Sequence, residues 1–149
     1  MQDRFKFRYH NNNKIYDVSA IDFTRSRGEI VSLDKMETLM CKLDLNNLIQ
    51  CTGLKDKNGK LIYEGDIIKY FCPAEYCSDG VHKCPECYSG ENGSVYYDED
   101  LAMYEYRSKS DECPLTDNIN TEEDLEIIGS IYENPELLEE DQNEFKTNY

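Results

Sequence analysis

The sequence predicts a mainly β protein with a small SH3-like, barrel-like core. Residues 4–9 alternate strictly between basic and aromatic side chains, which is the period of a half-buried strand. Short apolar runs then recur along the chain between clusters of turn-forming residues. A further apolar run over residues 67–71 opens directly after the Gly65-Asp66 corner, an arrangement common in SH3-like barrels. An N-terminal hairpin, a zinc-binding insertion and a short C-terminal helix complete the predicted fold.

The first half of the chain contains the predicted hairpin and several short strands. Residues 4–9 place Phe5, Phe7 and Tyr9 on one face, and the asparagine turn at 11–13 leads into a second strand over residues 14–23. Residues 29–33 and 48–51 are also typical of strands. Residues 34–45 fit either an amphipathic helix or an irregular strand. Asn58-Gly59 is a strong turn signal before the strand at 61–63.

The second half predicts another hairpin, a loop, a strand and a helix. Residues 94–97 and 101–107 form the hairpin around an acidic tip, and the polar residues 108–123 form the loop. Residues 125–132 form a final strand with Leu125, Ile127 and Ile131 on its buried side. Asn134 and Pro135 suit the start of a helix over residues 135–140.

The acidic charge is concentrated in the last third of the chain. The 149 residues carry 16 Lys and Arg against 31 Asp and Glu, a net charge of −15. Residues 1–90 are balanced, whereas residues 91–149 hold 18 of the acids and 3 of the bases. This segment is either a solubilising surface or a surface that binds a basic partner. The candidate partner-binding residues are Asp98, Glu99, Asp100, Glu122, Glu123 and Asp124.

The basic stripe of the first strand has two interpretations. Arg4, Lys6 and Arg8 form the solvated face of an antiparallel sheet, or they contact an acidic partner. Together with Lys83 they would serve a zinc-ribbon protein that binds nucleic acid. The net charge disfavours that class, because gripping a phosphate backbone requires clustered Lys and Arg.

Four of the seven cysteines have the spacing of a zinc site. They follow the pattern Cys-x4-Cys-x6-Cys-x2-Cys, at Cys72, Cys77, Cys84 and Cys87. Four thiolates close a tetrahedral Zn²⁺, so the metal would be structural and have no open position for catalysis. His82 could replace Cys72 or Cys77, and reduced thiols or a redox Cys-x-x-Cys are the alternatives. The other three, Cys41, Cys51 and Cys113, are predicted to be buried packing residues.

No constellation in the sequence predicts an enzyme. The two histidines, His10 and His82, suggest no nucleophile–base pair, and phosphate-binding glycine loops are absent from the sequence. The sequence shows neither a membrane span nor a signal peptide, so we expect a cytoplasmic protein. The predicted domain organisation is a β region over 1–71, the zinc-binding insertion over 72–90, an acidic second part of the core over 91–140 and a flexible tail over 141–149.

Three segments resemble the YopX family of bacteriophage and prophage proteins. They are residues 6–8 before the asparagine turn, residues 50–68 (QCTGLKDKNGKLIYEGDII) and residues 127–138 (IIGSIYENPELL). The resemblance implies a mainly β, barrel-like fold in a protein acting in the bacterial host cytoplasm, and it brings no established activity. It favours a non-enzymatic accessory protein that binds a host or phage protein. The alternative is an acidic nucleic-acid mimic that inhibits a bacterial defence nuclease or another nucleic-acid-binding protein.

Overall fold

The mainly β prediction is confirmed by a computed structural model that describes residues 5–31, 38–70, 92–109, 112–115 and 125–139. These ranges contain eleven strands and two short 3₁₀ helices, Leu45–Asn47 and Pro135–Leu138. In chain order the strands are β1 (Phe7–Asn11), β2 (Lys14–Asp22), β3 (Arg27–Val31), β4 (Thr38–Lys42), β5 (Leu48–Lys55), β6 (Leu61–Tyr63), β7 (Asp66–Tyr70), β8 (Gly93–Asp98), β9 (Met103–Arg107), β10 (Glu112–Pro114) and β11 (Leu125–Ser130).

The strands form two antiparallel sheets. The first has six strands in the order β4-β3-β2-β1-β5-β6, and the second has five in the order β10-β9-β8-β7-β11. The chain passes from one sheet to the other at Gly65, whose φ of 79° suits a glycine. The Gly65 amide donates to the carbonyl of Val95 at 2.7 Å, and the Ile131 amide donates to the carbonyl of Gly65 at 2.9 Å. The corner between the sheets is therefore bonded to the second sheet on both sides.

The N-terminal hairpin is confirmed, but its first strand is shorter than predicted. Asn12 and Asn13 have φ of 51° and 57°, the conformation that a two-residue hairpin turn requires. Tyr9 is buried, whereas Phe5 precedes β1 and is 78% exposed. The alternation of residues 4–9 placed Phe5 on the buried face, and that part of the prediction was wrong because pairing with β2 begins only at Phe7.

Two segments took a form that their sequence left open or missed. Within the described part of residues 34–45, Thr38–Lys42 forms the strand β4, in which Leu39 lies opposite Ile30 of β3. The predicted loop at 108–123 contains the strand β10, which pairs with β9 and is followed by the fully buried Leu115. Tertiary pairing decided both cases, since the period of residues 34–45 is ambiguous and residues 108–123 have no clear period.

The final strand loses its predicted alternation at a bulge. Leu125 is fully buried, but the register with β7 shifts between Ile127 and Gly129, and Ile131 is 36% exposed. The extra residue moves the following side chains to the opposite face, so the assignment of Ile131 to the buried side was wrong. The predicted helix exists as the 3₁₀ helix Pro135–Leu138, and the Asn134 side chain makes no capping hydrogen bond.

Among the described residues, the buried hydrophobic side chains form three clusters. The largest lies under the second sheet and includes Tyr106, with Ile62 of β6 reaching into it. The other two belong to the first sheet, one around Tyr63 and one around Tyr9. The Tyr63 cluster also contacts Tyr132, which follows β11, so this cluster connects the two sheets.

Candidate functional site

The tip of the β8–β9 hairpin presents the described part of the predicted acidic site. The Asp98 carboxylate accepts a hydrogen bond from the Leu101 amide at 2.8 Å, and Ala102 has a φ of 54°. Glu99 and Asp100 between them are exposed. The turn is therefore held by Asp98, while the next two carboxylates point to solvent.

Apolar side chains flank these carboxylates. Leu101 is 58% exposed and Tyr97 is 41% exposed. The ring of Tyr97 packs edge-on against Tyr104, with the centroids 5.1 Å apart. The tip is thus a mixed acidic and apolar surface, and packing against Tyr104 holds the Tyr97 ring in place. We call residues 97–101 the hairpin tip.

A cluster of paired side chains lies on the other face of this sheet from Tyr97 and joins the hairpin to the neighbouring strand β10. The Arg107 guanidinium stacks over Tyr96 at 3.8 Å and pairs with Glu112 at 2.6 Å. The Tyr96 hydroxyl donates to the buried Glu105, and partial burial together with that carboxylate raises the pKa of Tyr96 to about 12. Arg107 is one of the three basic residues in residues 91–149, and its charge is paired with Glu112 of β10.

Arg8 was predicted to belong to a solvated basic stripe, and the structure corrects that assignment. Its guanidinium lies 4.0 Å above the Tyr63 ring, 3.3 Å from Asp17 and 3.6 Å from Asp66. Burial raises the pKa of Asp66 to about 6, although the Tyr63 amide donates to its other oxygen at 2.8 Å. A cleft of about 310 Å³ opens beside Arg8 and Asp66, with Lys60 on its wall. Arg8 therefore connects the two sheets rather than facing solvent freely.

The buried carboxylate of Asp56 organises the turn within residues 50–68. Asp56 accepts hydrogen bonds from the amides of Asn58 and Lys60 at 2.9 and 2.8 Å. Its second oxygen accepts from the Ile127 amide of β11 at 3.2 Å. The Asn58-Gly59 turn was predicted, and Gly59 has a φ of 77°. The long-range bond to Ile127 had no signal in the sequence.

The family model of YopX, described as YopX protein, matches residues 6–139. The chain belongs to the YopX family. The match includes Asp56, Asp66 and the hairpin tip, so the bonds that join the two sheets lie within the family region.

Solved structures that match this YopX chain include one from a bacterium. It is the crystal structure of protein EF1440 from Enterococcus faecalis, with 24% sequence identity and a TM-score of 0.46. The alignment covers 89% of this chain and 96% of that chain. A search of curated proteins gave no match.

The remaining predicted site residues of the YopX chain lie outside the described ranges. Cys72, Cys77, Cys84 and Cys87, with His82, fall within 71–91, and Glu122, Glu123 and Asp124 fall within 116–124. The described residues hold no group of three or more His, Cys, Asp or Glu side chains suited to a metal ion. The zinc site therefore stays a prediction.

Two of the other cysteines, Cys51 and Cys41, lie in the described strands β5 and β4. Cys51 is buried, and its thiol lies 3.7 Å from the carbonyl of Ile62, so the packing role predicted for it is confirmed. Cys41 is only half-buried, on the edge strand β4. Among the described residues, no helix has the length and apolar character needed to cross a membrane.

Proposed function

We propose that this YopX protein is a non-enzymatic phage or prophage accessory protein that binds a host or phage protein in the bacterial cytoplasm. The partner surface is basic and meets the hairpin tip. An SH3-like barrel core and a structural zinc in residues 72–90 belong to the same proposal. The zinc would hold an excursion of the chain and would take no part in binding.

The observation that carries the proposal is the composition and support of the hairpin tip. Leu101 and Tyr97 are large apolar side chains exposed beside Glu99 and Asp100. Protein interfaces combine apolar or aromatic anchors with a polar rim, and rim charges speed the encounter with a partner of opposite sign. The Asp98 bond to the Leu101 amide fixes the turn before any partner arrives, which lowers the entropy lost on binding.

The proposal is tested by affinity capture from a bacterial lysate followed by measurement of the purified pair. We expect Glu99→Gln with Asp100→Asn to slow association roughly tenfold in low salt, because two rim charges are removed. Leu101→Ser should instead speed dissociation. Glu136→Gln with Glu139→Gln removes the same charge from the exposed C-terminal 3₁₀ helix region and is the matched control.

Two results would count against this function. The first is that the lysate yields no stoichiometric partner. The second is that the tip variant and the control variant bind a captured partner equally well, which would place the interface elsewhere.

The charge distribution favours the nucleic-acid mimic as a second candidate. Residues 91–149 carry 18 acids, and one of their three bases, Arg107, is paired with Glu112 of the neighbouring strand β10. A mimic should compete with DNA or RNA for a basic nuclease groove, and its affinity should fall steeply with salt. An affinity that is the same in low and high salt would exclude this candidate while leaving an apolar contact through Leu101 possible.

A further inference from the structure

Among the strands that the structure describes, β4 lies at the outer edge of the six-stranded sheet. Two of its five residues are large apolar side chains with unusual exposure, since Leu39 is 52% and Met40 is 71% exposed. Leu39 lies on the same face as Ile30 of the Tyr9 cluster, and Met40 lies on the opposite face beside Glu29. Both faces of the edge strand therefore offer apolar surface.

An edge strand of this kind is open to pairing with another chain. Its outward N–H and C=O groups can pair with another strand, and proteins usually protect such edges with charges, prolines or bulges. The register of β4 with β3 is continuous over all five residues, and Lys42 at the end is the single charged residue of the strand.

The other described edges are less suited to pairing. β6 and β10 have three residues each, and β10 begins with Glu112. β11 has the register shift between Ile127 and Gly129. Among the described edges, β4 combines a regular backbone with exposed apolar side chains.

We propose that β4 pairs antiparallel with β4 of a second copy of this chain, about a two-fold axis at Met40. In this register Leu39 of one copy lies opposite Cys41 of the other, and Thr38 lies opposite Lys42. The two Met40 side chains meet at the axis. No like charges face each other across the new strand pair, which antiparallel pairing requires.

The distribution of charge favours a second copy at this edge. The acidic excess belongs to residues 91–149, whose described strands β8 to β11 lie in the second sheet. The first sheet passes into the second through β5 and β6, at the end opposite to β4. Pairing through β4 thus joins the charge-balanced parts and keeps the two acidic parts at the outer ends. The contact is isologous and uses the same edge of both copies, so assembly stops at a dimer.

This inference concerns a surface separate from the hairpin tip and can be tested independently. Sedimentation velocity on the full chain over a dilution series should give a species of twice the 17.4 kDa chain mass. Met40→Lys and Met40→Glu should each weaken dimerisation on the order of a hundredfold, because apolar burial is lost and like charges meet at the axis. An equimolar mixture of the two variants should recover the dimer.

The controls separate pairing from folding. Leu45→Lys charges another exposed leucine, in the 3₁₀ helix after β4, and should dimerise like the unmodified chain. Recovery in the mixture shows that both Met40 variants are folded. The proposal is overturned if the unmodified chain is monomeric at every concentration, if the single Met40 variants dimerise as the unmodified chain does, or if mixing restores nothing.

Discussion

At the scale of single residues, two buried aspartates hold the junction between the sheets. Asp56 joins its own turn to β11, and Asp66 joins the Gly65 corner to Arg8 on β1. Both side chains are almost completely inaccessible, at 1% and 3% residue exposure. A buried carboxylate is tolerated where its oxygens receive hydrogen bonds, and it is costly where they do not. The two residues should therefore respond differently to substitution.

Asp56→Ala should lower the free energy of unfolding by about 3 kcal/mol, because three backbone amides lose their acceptor in a buried site. Asp56→Asn retains one acceptor oxygen and should cost less. Urea denaturation measures both. Asp44→Ala, which removes the acceptor of the exposed 3₁₀ turn, is the control and should cost about 1 kcal/mol. Equal losses for Asp56→Ala and Asp44→Ala would show that Asp56 does not join the sheets energetically.

Asp66 should make stability depend on pH between about 4 and 6. Its pKa is raised from 3.8 to about 6 by burial, so the folded state binds a proton more tightly than the unfolded state. The resulting stabilisation is fully present below the unfolded pKa and is lost as the pH rises through the folded value. At about 1.4 kcal/mol for each pKa unit, the change is about 3 kcal/mol.

The measurement compares unfolding free energies of the unmodified chain and Asp66→Asn from pH 4 to pH 7. The advantage of the unmodified chain over the variant should shrink as the pH rises. Glu136→Gln, which removes an exposed carboxylate, is the control. Parallel stability profiles for the unmodified chain and Asp66→Asn would contradict the assignment.

The sequence predicted the local features around these residues but not their long-range contacts. The Asn58-Gly59 turn and the Gly65-Asp66 corner are local features, and each was predicted from adjacent residues. The role of Arg8 depends on Tyr63 and Asp66, which are more than fifty positions away, so a period of two along β1 could only place it on a face. That face is covered by the C-terminal segment, which includes Tyr132 and Glu133.

At the scale of elements, the second sheet depends on a close approach between β8 and β9. A Cβ atom at Gly93 would lie 2.1 Å from the ring of Tyr106, which is only 1% exposed and cannot move away freely. By contrast, a Cβ at Gly59 would meet nothing within 4 Å. The two glycines are needed for different reasons, space at Gly93 and a positive φ at Gly59.

Gly93→Ala should therefore destabilise the protein by about 3 kcal/mol through overpacking. Gly59→Ala should cost about 1 kcal/mol, from backbone strain alone. Thermal and urea unfolding measure both losses. The double variant Gly93→Ala with Tyr106→Leu should be more stable than the sum of the single losses predicts, since the smaller side chain relieves the clash. Strict additivity would show that the ring is not the obstacle.

Strand periodicity predicted most elements but failed where pairing partners set the outcome. β11 begins with the predicted buried Leu125, yet the bulge after Ile127 reverses the later side chains. Residues 34–45 fitted a helix as well as a strand, and Thr38–Lys42 became the strand β4 because β3 supplies a partner over its whole length. Neither a bulge nor a strand partner can be read from a short segment alone.

At the scale of the whole molecule, the chain combines a charge-balanced part over residues 1–90, which supplies the first sheet, with an acidic part over residues 91–149. The connection between β7 and β8, over residues 71–92, contains all four predicted zinc ligands. β7 and β8 pair directly at Ile67–Ser94 and Ile68–Gly93. The two ends of this long connection therefore lie side by side in the sheet, and a metal bound by its cysteines would cross-link the connection.

The zinc prediction is tested by metal analysis together with stability. The purified chain should contain one Zn²⁺, and Cys84→Ser or Cys87→Ser should each lose it. Metal loss should lower the melting temperature and make residues 72–90 sensitive to protease, because the excursion has few apolar residues to hold it. Cys41→Ser, at a half-buried cysteine of β4, should keep both the metal and the melting temperature nearly unchanged. Zinc retained by both Cys84→Ser and Cys87→Ser would show that the ligands are wrongly assigned, and a chain purified without any zinc would show that no metal cross-links residues 72–90.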